Sequence, residues 1–353
     1  MKRLLLGSSW LILVSLFLTL PAQSSPFLKV SISEPTALIK SYMLVDTFSE
    51  THRVIEVDAA SGDVIWQWKI PEKMVSKRSI CQGSTATLMR DGSINVLVAK
   101  YGLLKIRRDG SYKELVRDDE MDHNAHQYES DKVIYTRGFV DKSEPSIVVT
   151  KTIDNGGERI LEWVPNDIFS SKEEFNHTDQ NCRSARRKRK ENEKDWAHAN
   201  HAEVLSNGNY LISLRNLSLF LEMGKDGEII KQSNSVFGVH QPTPYKGGYI
   251  AADRACRRQS IHHINASGDN KKLFTGKFAV IRGIHHLKGD NFLITSATTV
   301  SEISLDGKVH YQAHILGVSS DIEENATRKS DLENDGFCSP KTLYNAFPTS
   351  QNQ

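Results

Sequence analysis

The chain is poor in several features that define other classes of protein. Four of its 353 residues are Cys, and no two stand as a CxxC pair, so neither a zinc ribbon nor a thioredoxin-like redox motif is supported. Neither sign of charge dominates: 45 Lys and Arg face 43 Asp and Glu, for a formal net charge of +2. That balance excludes a strongly basic nucleic-acid binder and gives no global steering toward anionic polymers. Apolar runs of membrane-spanning length are missing after the first two dozen residues, which excludes a polytopic membrane protein. Helical periodicity is nearly absent beyond Pro26, so an all-helical fold is excluded as well. With 39% hydrophobic residues, the chain still has the material for a full core and is not a disordered sequence.

What the sequence does contain begins with an address. Met1–Lys2–Arg3 is basic, Leu4–Leu6 and Trp10–Leu20 are apolar, and Pro21–Ser24 supplies small residues for cleavage. This is the layout of a secretory signal peptide over residues 1–24. The expected location is therefore exported, periplasmic or secreted, with membrane contact only through this segment if it stays uncleaved. In such a compartment Cys81, Cys182, Cys256 and Cys338 are expected to form at least one disulfide, and three pairings are possible.

Beyond the leader the chain repeats itself every forty or so residues. Glu203–Arg215 followed by Leu219–Ile230, and Leu287–Ser296 followed by Val300–Val309, each read as a turn, a short apolar strand, a second strand, an Asp-Gly turn and a third strand. Val54–Trp66, Met89–Gly110 and Lys246–Gly268 are further copies. Asp-Gly and Asn-Gly between apolar runs are strong hairpin signals, because Gly permits the positive φ that tight turns need. Short antiparallel strands in units of this length point to an all-β fold, a six-bladed β-propeller over residues 40–317. A β-sandwich or β-helix does not explain the period. The ring is expected to close by pairing strands from the two ends of the chain. Residues 170–195, with the basic run Arg186–Lys190, read as a polar insertion, and residues 319–353 as a polar, partly disordered tail.

Seven of the 13 His residues share one place in the repeat, just before the first apolar strand of a unit. These are His123 and His126, His198 and His201, His240, and His285 and His286. In a propeller such positions gather at one mouth of the central channel. A cluster of this kind admits two chemistries: a transition metal or Zn²⁺, or an anion held by imidazoles, one of which acts as nucleophile. Arg215, at the end of the strand after His198, offers a fork of donors suited to sulfate or phosphate oxygens.

The segment Asp195–Trp–Ala–His–Ala–Asn200, with Asn207–Leu214 and Arg215–Leu217, resembles the central motif of the bacterial-type arylsulfotransferases. The resemblance implies a six-bladed propeller that moves a sulfuryl group from an aryl sulfate to a phenolic acceptor, without cofactor or metal. It implies catalytic roles for His198 and Arg215 and a substrate-binding role for Asn200. Phe237–Pro242 with Gly248–Asp253 resembles the segment that carries the sulfated nucleophile, which falls on His240. Asp122–His–Asn–Ala–His126 resembles the family's earlier histidine segment, with His123 as the catalytic match and His126 as substrate-binding. The expected partners are small molecules, with no nucleic acid. A catalytically silent propeller serving as an exported binding platform is the alternative that the fold alone permits.

Overall fold

The computed structural model describes residues 28–46, 52–75, 84–137, 147–153, 159–163, 197–253, 259–276, 281–296, 298–315 and 347–349. The expected signal peptide, the insertion with its basic run and all four Cys lie outside the described residues.

Six small antiparallel sheets make a six-bladed propeller, as the repeat predicts. Blade two consists of Thr85–Leu88, Ile94–Val98, Gly102–Ile106 and Tyr112–Arg117. Blade three consists of Met121–Glu129, Lys132–Arg137, Ile147–Thr152 and Arg159–Trp163. Ala199–Val204, Tyr210–Leu214, Leu219–Met223 and Ile229–Ser233 form blade four. Blade five follows with His240–Tyr245, Gly248–Ala252, Gln259–Ile264 and Asn270–Gly276. In each, the strand earliest in sequence is innermost.

The ring closes from both ends. Blade one takes Ser41–Asp46, Arg53–Asp58 and Val64–Lys69 from the start of the chain, and its inner strand is Phe347–Pro348, paired through Met43 and Tyr42. Blade six has Ile281–His286, Asn291–Ser296, Thr299–Ser304 and Val309–Ile315, and gains a fifth, outer strand, Leu28–Ser33. Each terminus thus completes the blade at the opposite end of the sequence, which ties the ring shut and covers two sheet edges.

The turns explain the local fold. Gly92, Gly110, Gly208, Gly227 and Gly307 all have φ between 76° and 89°, the left-handed conformation that only Gly adopts without strain. In these hairpins the residue before Gly caps the turn: Asp91 Oδ1 accepts from the Ser93 amide at 3.1 Å and Asp109 Oδ1 from the Ser111 amide at 2.8 Å. Between the turns, second strands such as Ile94–Val98 and Tyr210–Leu214 are buried along their whole length. They are covered on both faces because each blade lies between two others.

Six apolar clusters fill the six interfaces between blades. Ile134, Val148 and Trp163 meet Ile212, Leu214 and Leu221 between blades three and four, for example, and Leu211 and Phe220 meet Tyr249 and Ala251 between four and five. Each buried aliphatic side chain contributes about 1.5–3 kcal/mol. Polar ties reinforce the interfaces: Tyr249 Oη donates to Glu222 Oε2 at 2.6 Å across blades five and four.

Candidate functional site

The innermost strands carry the site, and their composition is unlike that of the strands behind them. Met121–Glu129, Ala199–Val204, His240–Tyr245 and Ile281–His286 are rich in His, Asn, Gln and Thr. Sequence reasoning took the second strand of each unit for its first. Six of the seven histidines therefore lie on the inner strands themselves rather than in turns before them, and His198 immediately precedes its own.

Each of these four strands slips register against its neighbour near its start. The irregularities fall opposite Tyr135/Thr136 in blade three, between Ala199 and His201 in blade four, between His240 and Thr243 in blade five, and between Ile281 and Gly283 in blade six. A bulge leaves a residue unpaired and re-aims its side chain. His123, Asn200 and Gln241 are such residues. His123 and His198 also share a left-handed backbone, with φ of 54° and 52°, and Gln241 has φ of 39°. Non-Gly residues held there cost roughly 1–3 kcal/mol each, a strain that persists only where surrounding contacts enforce it. At His198 the enforcing contact is visible, since the Arg215 amide donates to its carbonyl at 3.0 Å.

The structure brings the predicted residues of three successive blades into contact. His123 and His198 place their Nε2 atoms 3.1 Å apart, with rings perpendicular. His123 Nδ1 lies 3.0 Å from Oδ1 of Asp122, a fully buried carboxylate whose Oδ2 receives the Lys100 ammonium at 3.3 Å. Asp122 thus sets a carboxylate against the Nδ1 side of His123, while Nε2 faces His198. One blade on, the Asn200 amide nitrogen faces both the Val239 carbonyl, at 3.3 Å, and His240 Nδ1, at 2.5 Å, while Asn200 Oδ1 accepts from Ser213 Oγ. His198, Asn200 and His240 are all buried. Arg215 opens a single helical turn directly after the buried strand Tyr210–Leu214, half-buried beside His198, with Nε bonded to Asn216 Oδ1 at 3.1 Å.

His126 and His201 form a second layer along the same strands, held by Asn124. Asn124 Oδ1 accepts from the Ala202 amide at 3.0 Å, so its nitrogen must donate to His126 Nε2 at 3.0 Å and His201 Nδ1 at 3.2 Å. Burial, aided by the neighbouring His201, pushes His126 down to about 4, and it stays neutral near physiological pH. Burial pushes the nearby Glu203 carboxyl up, but the imidazoles of His201, His126 and His285 outweigh it and hold the group below its usual range.

His286 falls elsewhere, whereas His285 reaches the layer of His126 and His201 through Glu203. His285 and His286 end the inner strand of blade six, while His123 and His240 stand at or near the starts of theirs, and His286 packs against Tyr245 and Phe292 with Nε2 bonded to the Gly289 carbonyl. Sequence reasoning missed Asp122, Lys100, Asn124 and Ser213. Only the adjacency of Asp122 and Asn124 to His123 signalled any of them. Among the described residues, no group of three or more His, Cys, Asp or Glu is arranged to hold a metal ion.

A six-bladed propeller with imidazoles of three adjacent blades converging on its channel is the class of protein that this geometry defines. The arylsulfotransferase (ASST) family model matches residues 110–231, which include His123, His126, His198, Asn200 and Arg215 but not His240. Over that stretch the chain is similar to the arylsulfotransferases, in agreement with the resemblance of the Trp-Ala-His-Ala-Asn segment and supporting an arylsulfotransferase-like character at family level. No curated protein matches the sequence significantly. Similar solved structures include a protein of unknown function from Bacteroides caccae, at 15% identity over 77% of this chain and 93% of that one, with a TM-score of 0.49. Another is a virginiamycin B lyase from Staphylococcus aureus, at 12% identity over 83% and 90%, with a TM-score of 0.47. At these values the likenesses carry no functional argument.

Proposed function

We propose that this chain is an exported enzyme that transfers a sulfuryl group from an aryl sulfate to a phenolic acceptor through a sulfohistidine at His240. The observation that supports it most is the contact of His123 with His198, and of Asn200 with His240, across three successive blades, with Arg215 beside His198. A nitrogen of His240 attacks sulfur, the bond from sulfur to the aryl oxygen breaks, and the phenolate leaves. His123 or His198, as the protonated partner, supplies its proton. The acceptor phenol then attacks the sulfohistidine and returns that proton, so donor and acceptor turn over in ping-pong order. Arg215, His198 and His123 donate to the three equatorial oxygens, where charge spreads in the transition state. Each such preorganised donor contributes ~3 kcal/mol, about a hundredfold in rate.

The test is release of p-nitrophenol from p-nitrophenyl sulfate in the presence of excess phenol. His240→Ala is expected to abolish turnover and covalent labelling together. Arg215→Ala is expected to leave a slow enzyme, down about a hundredfold, that still labels. Full transfer by His240→Ala would assign the nucleophile to another histidine. No release with any of a range of acceptors would leave the chain as a binding platform.

A further inference from the structure

The network behind His240 decides which of its ring nitrogens carries the proton. The Val239 carbonyl can only accept a hydrogen bond, so the end of the Asn200 amide that faces it is the nitrogen. That same nitrogen faces His240 Nδ1. Nδ1 is therefore an acceptor, and the neutral ring carries its proton on Nε2. In this state Nε2–H is a donor suited to an oxygen of a bound sulfate ester. It is not a nucleophile, and the Nδ1 lone pair is covered by Asn200.

Attack through Nε2 needs the proton on Nδ1, and a proton there needs an acceptor. Asn200 Oδ1 is that acceptor once the amide turns over. At present Oδ1 receives the Ser213 hydroxyl, and Ser213 is fully buried. A hydroxyl accepts as readily as it donates. Ser213 can therefore receive the amide nitrogen after the turn, its own hydrogen rotating aside. The bond given up is the one to the Val239 carbonyl, the longest of the three at 3.3 Å. Ring charge is unchanged, because the proton lost from Nε2 is replaced by one at Nδ1 through solvent.

We infer that Ser213 and Asn200 are positioning residues that switch His240 between an anion-holding tautomer, protonated at Nε2, and a nucleophilic tautomer, protonated at Nδ1. The inference rests on the reading of His240 as nucleophile for its catalytic meaning, but the tautomer itself is measurable without turnover. The full chain is labelled with ¹⁵N-histidine, and the His240 resonances are assigned by their loss in His240→Ala. The resting protein is expected to show His240 protonated at Nε2. Asn200→Asp, nearly the same shape but accepting at both oxygens, is expected to move the proton to Nδ1. Ser213→Ala, with no partner for the turned amide, is expected to keep the resting signature and to cut the rate of covalent labelling at least tenfold, and Ser213→Thr to restore it.

An unchanged His240 signature in Asn200→Asp would overturn the inference, as would labelling in Ser213→Ala at the normal rate. Should Asn200→Asp fail to fold, the Ser213 pair decides alone. Loss of the nucleophile assignment looks different: His240→Ala would then retain transfer while the tautomer shift in Asn200→Asp still appeared.

Discussion

Asn124→Ala is the perturbation whose consequences the structure fixes most tightly. Asn124 is buried and bridges two blades with one acceptor and two donor contacts. Truncation strands the buried amide of Ala202, which costs about 1–3 kcal/mol, and removes the donors to His126 and His201, at about 1 kcal/mol each. The expected loss is ~3–5 kcal/mol, read by urea unfolding as a lower midpoint at constant slope. A loss below ~0.5 kcal/mol would refute the reasoning. The Asp variant separates charge from shape. Asn124→Asp keeps an oxygen for Ala202 but offers the imidazoles an acceptor, so His126 must present a proton and its pKa must rise from about 4. In the native protein that depressed value makes the unfolded chain take up the proton first. Stability contributed by neutral His126 is thus full above pH 6.5 and is lost as pH falls from 6.5 toward 4, by at most ~3 kcal/mol. In Asn124→Asp this window should shrink or reverse. An unchanged acid profile would show that Asn124 does not govern His126.

Three other outcomes follow from the same framework. Glu222 Oε1 accepts from Asn207 and Asn209 and its Oε2 from Tyr249, so Tyr249→Phe should cost ~1–2 kcal/mol. A double-mutant cycle with Glu222→Gln should show coupling, and strict additivity would refute the tie. Removing residues 347–353 exposes the inner edge of blade one and should lower Tm by several degrees without loss of sheet content by circular dichroism. An unchanged Tm would show that Phe347–Pro348 contributes nothing to closure. Ile212→Ala, in the fully buried second strand of blade four, should cost ~2–5 kcal/mol, and a cost under 1 kcal/mol would contradict the packing between blades three and four.

The fold was legible where hydrophobic burial writes the sequence. Second strands such as Tyr210–Leu214 are apolar throughout because blades cover both faces, and the Asp-Gly turns mark the hairpins at Gly92, Gly110, Gly227 and Gly307. These two signals suffice for the blade count. The inner strands were not legible. His240–Gln–Pro–Thr–Pro–Tyr245 has no alternation and two prolines, because the strand faces the channel on one side and has no inner neighbour to pair with. Pattern arguments weigh burial, so a strand selected for what it presents to the channel reads as a loop.

The site was half legible for a related reason. Repeat position picked out seven histidines and the resemblance to the arylsulfotransferases singled out His123, His198 and His240 among them, but what aims them is backbone. Left-handed φ at His123 and His198, and register slips repeated in blades three to six, leave no mark in composition. The partners behind the site residues come from other elements: Lys100, which reaches Asp122 from between the second and third strands of blade two, and Ser213 from the strand behind Asn200. Each is a common residue type at an unremarkable place in the sequence. Only the fold makes Ser213 a neighbour of Asn200 and, through it, of His240. In a propeller the channel walls are contributed one strand per blade. The chemistry of the site therefore depends on contacts about forty residues apart, such as the one between Asn200 and His240, and the position of the proton on His240 is a property of blades four and five together.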